Sequence, residues 1–238
     1  MFGMLRYATQ TKRSTDPCHF YNRSLHDHYQ SKKGRQLSHY NMKTKETRKI
    51  LAKIDSITEG IEYTSSEKNN LFMALFDISM EHAKSIVILI ENGKFGSAYA
   101  LARPLIETFI RAAWVQNCAT DVEVERFSQR DKINKELGVL ISEVEESNKW
   151  PGVFSQIKEN LYKNLNSYTH GGNQLTARRF KDEKLVHNPD VDEINVLLRL
   201  SVLVSFLCIT SVSETAEINN AATIAKELNE EMKSEIFN

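Results

Sequence analysis

Residues 97–118 read SAYALARPLIETFIRAAWVQNC. The run is apolar enough for a core helix, yet it carries Arg103, Glu107 and Arg111 at intervals of four and Trp114 three later. At about 100° per residue, these four fall within about 80° of one helix face. Charge is expensive to bury unless it is paired. The stripe is therefore either an internal ion-pair ladder that fixes helix packing, or the wall of a site where an arginine binds an anion. Phosphate is the natural candidate, because it matches the planar guanidinium fork. Pro104 lies inside the same helix, where it withdraws a backbone donor and implies a kink near 100–103 with a carbonyl freed beside the charges.

Working outward, helical periodicity runs through most of the chain. Ile50, Leu51, Ile54, Ile57 and Ile61 make the stripe of a first helix that begins with Met42. Thr64 and Glu67 fit a capping box before a second helix over 66–92, which Asn92-Gly93 stops. The short link after it implies an antiparallel hairpin with the Arg103 helix. A fourth helix is expected over 121–147, a fifth over 153–168, a long apolar one over 191–215 and a polar last one over 218–237. Residues 173–190 form the one long irregular connection, and connections of that length are often functional. No strand alternation, internal repeat, phosphate-binding glycine loop or HExxH pair is apparent.

The bulk numbers restrict the function. Net charge is zero over 238 residues, but residues 1–41 hold seven Lys/Arg against two Asp, leaving 24 basic and 29 acidic residues in the rest. An acidic body argues against general affinity for a nucleic-acid backbone. Residues 1–41 read as a basic, disordered arm, or as an extension ahead of a working start at Met42; four histidines there, 19, 26, 28 and 39, have no ordered metal spacing. Three widely separated cysteines without a CxxC pair fit a reducing cytoplasm. The apolar run at 196–212 contains Arg199, Ser201, Ser205 and Thr210 and falls short of a membrane span.

Three further groups could carry chemistry. Tyr168-Thr169-His170-Gly171-Gly172 ends the fifth helix, where His170 is either a half-buried cap or a general acid/base or phosphate contact. His82, on the second helix, reads as a core histidine more readily than as a ligand beside Glu107 and His170. Arg178 and Arg179, with Lys181 and Lys184, follow directly after the Gly-Gly pair, either solvated or as a lid over an anion. His170 is expected close to the Arg103 stripe.

The runs GSAYALARPLIETFIRAAWVQNCA, SMEHAKSI and SYTHGGNQLTARR together resemble a bacterial group of uncharacterised helical proteins. More distantly, the chain is similar to HEPN-type bundles and AbiV-like abortive-infection proteins. That resemblance implies a helical bundle, a context of stress or phage defence and, for some HEPN proteins, metal-independent ribonuclease activity through an Arg-x4–6-His motif. The chain departs from that motif: residues 163–165, upstream of His170, are Lys-Asn-Leu.

The expected architecture is an all-α, HEPN-like bundle of six or seven helices over 42–238, with 1–41 as the arm. The expected function is non-catalytic binding of a nucleotide, an RNA or a partner protein. The first alternative is ribonuclease-like catalysis by His170 with Arg103 or Arg111; the second is a purely structural homodimer. The expected binding residues are Arg103, Glu107, Arg111, Trp114, His82, Tyr168, Arg178 and Arg179, with no metal or cofactor. A homodimer through the last two helices is expected, and no membrane partner.

Overall fold

The computed structural model describes residues 43–181, 183–185, 190–216, 218 and 220–236. The chain divides into Met1–His39 and Tyr40–Asn238, and all described residues belong to the second unit. The expected N-terminal arm lies outside them.

The all-α class holds. The elements are α1 (43–58), α2 (Glu67–Glu91), α3 (Phe95–Asn117), α4 (Asp121–Arg130), α5 (Leu137–Asn148), α6 (Val153–Thr169), the single turn α7 (Asn173–Thr176), α8 (Val191–Thr215) and α9 (Ala221–Glu235). A 3₁₀ turn at Ala177–Arg179 leads into two two-residue strands, β1 (Phe180–Lys181) and β2 (Lys184–Leu185), paired antiparallel. The nine described α-helices exceed the expected six or seven for two reasons: the connection 173–190 contains α7, and the single helix expected over 121–147 is two.

That break has a physical cause. Phe127 and Ile133 are six residues apart, so a continuous helix would turn them about 240° from each other. Asp131 takes the left-handed conformation, φ 47°, and ends α4. The chain then re-enters as α5 with both side chains packed on the core. The start of α4 is sharply defined: Thr120 Oγ1 accepts from the Glu123 N–H while the Glu123 carboxylate accepts from the Thr120 N–H. At α2 the cap is Ser66, which accepts from the Asn69 N–H at 3.1 Å, and not the expected Thr64.

α3 is the central helix. It packs against α2, α5, α6 and α8. Leu105, Ile106, Phe109, Ile110, Ala113 and Val115 are fully buried, which explains why so apolar a helix forms in the middle of the bundle. Pro104 leaves the Ala100 carbonyl without its usual helical donor; the Thr169 hydroxyl at the end of α6 donates to it at 3.4 Å. α8 is long and apolar enough to cross a membrane, but 61% of its most apolar window is buried within the protein, the packing of a core helix.

Candidate functional site

Two stripes of four-residue spacing face each other across the α3–α6 contact. On α3 they are Arg103, Glu107 and Arg111; on α6 they are Tyr162, Asn166 and His170. Arg103 Nε donates to Glu107 Oε1 at 2.7 Å and to the Tyr162 hydroxyl at 3.1 Å. Its Nη1 donates to Asn166 Oδ1 at 2.7 Å and lies 3.4 Å from His170 Nε2. The Tyr162 hydroxyl donates to Glu107 Oε1, and its ring lies under the Arg103 guanidinium, 5.1 Å to the centroid. Arg111 approaches the other carboxylate oxygen, Glu107 Oε2, at 3.8 Å.

The electrostatics follow from this geometry. Burial raises the Glu107 carboxyl, but the hydrogen bonds from Tyr162 and Arg103 outweigh it and hold the group below the ordinary carboxylate range. Burial and the Glu107 charge push the Tyr162 phenol up to about 12. The hydrogen bond to Glu107 raises Arg103 further. Glu107 is thus an anion shared by two arginines, so the group keeps a net positive charge. The Nη2 of Arg103 has no hydrogen-bond partner among the described residues, Arg111 is held loosely, and His170 is exposed. An arginine only donates. Its contact with His170 Nε2 is a hydrogen bond when that nitrogen is unprotonated.

The two glycines after His170 have separate roles. Gly171 sits at φ 67°, which an L side chain rarely adopts. The Gly172 N–H closes back on the Ser167 carbonyl at 2.6 Å, the six-to-one bond of a Schellman exit. A Cβ on Gly172 would sit 3.1 Å from the Ser167 Cα. The sharp exit fixes His170 at the rim of the Arg103 group.

The remaining expected residues separate into other places. Trp114 does not join the group. Its indole is buried, donates from Nε1 to Glu143 at 2.7 Å and lies under Lys135. The reason is that α3 crosses two partners: its Arg103 end faces α6 and its Trp114 end faces α5. Tyr168 lies one layer over from the Arg103 group, stacked on Tyr99 at 4.7 Å, with its hydroxyl donating to Glu193 at 3.1 Å. Arg178 is not part of a free lid. It grips Glu193 of α8 through Nε and Nη2, lies over the Tyr168 ring and so ties the turn at Ala177–Arg179 to α8. Arg179 is half-buried over Gly96, where an added Cβ would meet its Nη2 at 2.7 Å. His82 stays half-buried on α2 and makes no hydrogen bond to the group among the described residues; desolvation lowers its pKa. Among the described residues, no cluster of three His, Cys, Asp or Glu could hold a metal ion.

Tyr162 and Asn166 were missed from the sequence. Counting back in fours from His170 would have found them, the same spacing that drew attention to Arg103, Glu107 and Arg111.

Residues 76–236 match a family model described as a family of unknown function, DUF6988. The chain belongs to that family. The matched range takes in α3, α6 and the whole Arg103–His170 group and leaves α1 outside. No curated protein and no solved structure matches the chain.

Proposed function

We propose that this member of DUF6988 is a non-catalytic, HEPN-like helical module of bacterial stress or phage defence that binds a nucleotide phosphate on the Arg103–Arg111–His170 ledge. One observation carries the reading. Arg103 is locked by Glu107, Tyr162 and Asn166, yet its Nη2 has no hydrogen-bond partner among the described residues, and this half-buried side chain lies beside an exposed histidine. A pre-positioned guanidinium with donors to spare is what a phosphate oxygen needs, because little side-chain entropy remains to be lost on binding. Arg111 adds a second cation two helical turns along.

Native mass spectrometry of the purified protein tests this. The wild-type chain should carry a nucleotide-sized mass, and Arg111→Ala and His170→Ala chains should lack it. A wild-type mass equal to the bare chain contradicts the reading.

A second reading has its own support. Arg103 reaches His170 from a different helix and so supplies in space the arginine that is missing just upstream of that histidine. In that case His170 acts as acid/base and Arg103 stabilises the phosphate charge of an RNA substrate. Cleavage of a fluorescent RNA in the presence of a chelator, abolished by His170→Ala, would favour the enzyme over the binding module.

A further inference from the structure

Arg111 faces two ways. Besides approaching Glu107, it lines a cavity of about 230 Å³ in the cleft where α4 breaks from α5. The other walls that matter are Phe127, Ile133, Leu137 and Leu140, with Asp131 at the turn. Lys135 also borders it, but this ammonium is committed to Glu123 and Glu143 at 3.1 and 2.9 Å. The cavity is smaller than the roughly 300–1,000 Å³ of sites for drug-sized ligands, a scale suited to one ring system.

A second cavity of about 610 Å³ lies on the far side of Lys135. Its walls include Glu123, Glu143 and Glu146, and this crowd of carboxylates repels phosphate. The smaller cavity joins the ledge through Arg111; the larger one does not include it.

We propose that the 230 Å³ cavity receives the base of a purine nucleotide, guanine in particular, whose phosphate lies on the ledge. Three features point to one ligand. Phe127, Ile133, Leu137 and Leu140 offer apolar contact to the faces of an aromatic ring within a lining whose exposed surface is mainly polar. The Asp131 carboxylate only accepts, and guanine offers it two parallel N–H donors on one edge. Arg111, at the mouth, leads from the base site to Arg103, because the two guanidiniums flank the two oxygens of the one Glu107 carboxylate. A nucleoside monophosphate reaches from one to the other. The helix break that the sequence did not reveal is what opens the cavity: a continuous helix over 121–147 would have no turn at Asp131.

This rests on the phosphate-binding reading, and calorimetry with two ligands separates them. Ribose 5-phosphate probes the ledge alone; guanosine 5′-monophosphate probes ledge and cavity together. The wild type should bind the nucleotide about tenfold or more tightly than the sugar phosphate. Asp131→Asn should remove most of that preference while leaving sugar-phosphate affinity intact. Asparagine tolerates the left-handed backbone at this position, so the fold is retained. Equal affinity of the wild type for both ligands overturns the base site and leaves the ledge standing. Tight nucleotide binding that persists in Asp131→Asn overturns the carboxylate contact. Failure of both ligands to bind overturns the ledge reading as well.

Discussion

At the residue scale, Glu107 organises the group. Its folded-state pKa lies below its unfolded value, so the folded protein holds fewer protons at that carboxyl. Its stabilising contribution is fully present above the ordinary Glu range and is lost as pH falls through the depressed value. Acid unfolding of wild type should therefore steepen below about pH 4 relative to Glu107→Gln. Superimposable curves would show that the carboxylate is not coupled to Tyr162 and Arg103 as described. Gly171 makes a second test. Alanine in its left-handed backbone should cost about 1–2 kcal/mol, read by denaturant unfolding. An unchanged midpoint would mean that the exit does not need the glycine. Trp114, seated in the core against α5, should behave as a packing residue: Trp114→Ala should cost about 3–5 kcal/mol. A stable Trp114→Ala protein that loses only ligand affinity would return the indole to the site.

At the element scale, α2, α3 and α8 were legible because each carries a wide apolar face, and burial of such a face decides helix formation more than propensity does. The α4–α5 break was not legible. Apart from Ile133 the run 129–136 is polar, it contains neither Gly nor Pro, and only the phase of Phe127 against Ile133 signals the break. The start of α6 at residue 153 was legible, but its cap was not. Buried Glu145 accepts from the Phe154 and Ser155 N–H groups at 2.7 and 3.1 Å, so one helix caps the next from outside it. Cross-element capping leaves no local sequence pattern. Half of the charged group was readable on α3, and the half on α6 was obscured because tyrosine and asparagine at helical spacing look like surface. Glu145→Ala leaves two N–H groups of α6 without that acceptor and should cost about 1–3 kcal/mol. A loss below about 0.5 kcal/mol, typical of an ordinary surface position, would contradict the cap.

At the scale of the whole molecule, the fold extends beyond the family match. Ile50, Leu51 and Ile54 of α1 are fully buried, although α1 precedes residue 76. α1 and α9 are further joined by Lys53–Glu231 and Lys49–Glu231, in which exposed lysines meet a half-buried carboxylate, pairs worth about 0–1 kcal/mol each. The apolar contacts hold α1 in place. Ile54→Ala should cost about 2–5 kcal/mol by thermal or denaturant unfolding. A cost near zero would make α1 an appendage.

The ledge formed by α3 and α6 is expected to hold a phosphate. Calorimetric titration of guanosine 5′-monophosphate into wild type and into the Arg111→Ala/His170→Ala double variant tests it most directly. Both residues lie at the rim, so the variant should fold as the wild type does. Saturable binding by wild type, weakened about tenfold or more in the double variant, is the predicted result. Equal binding by the two proteins, or none by wild type, would contradict it.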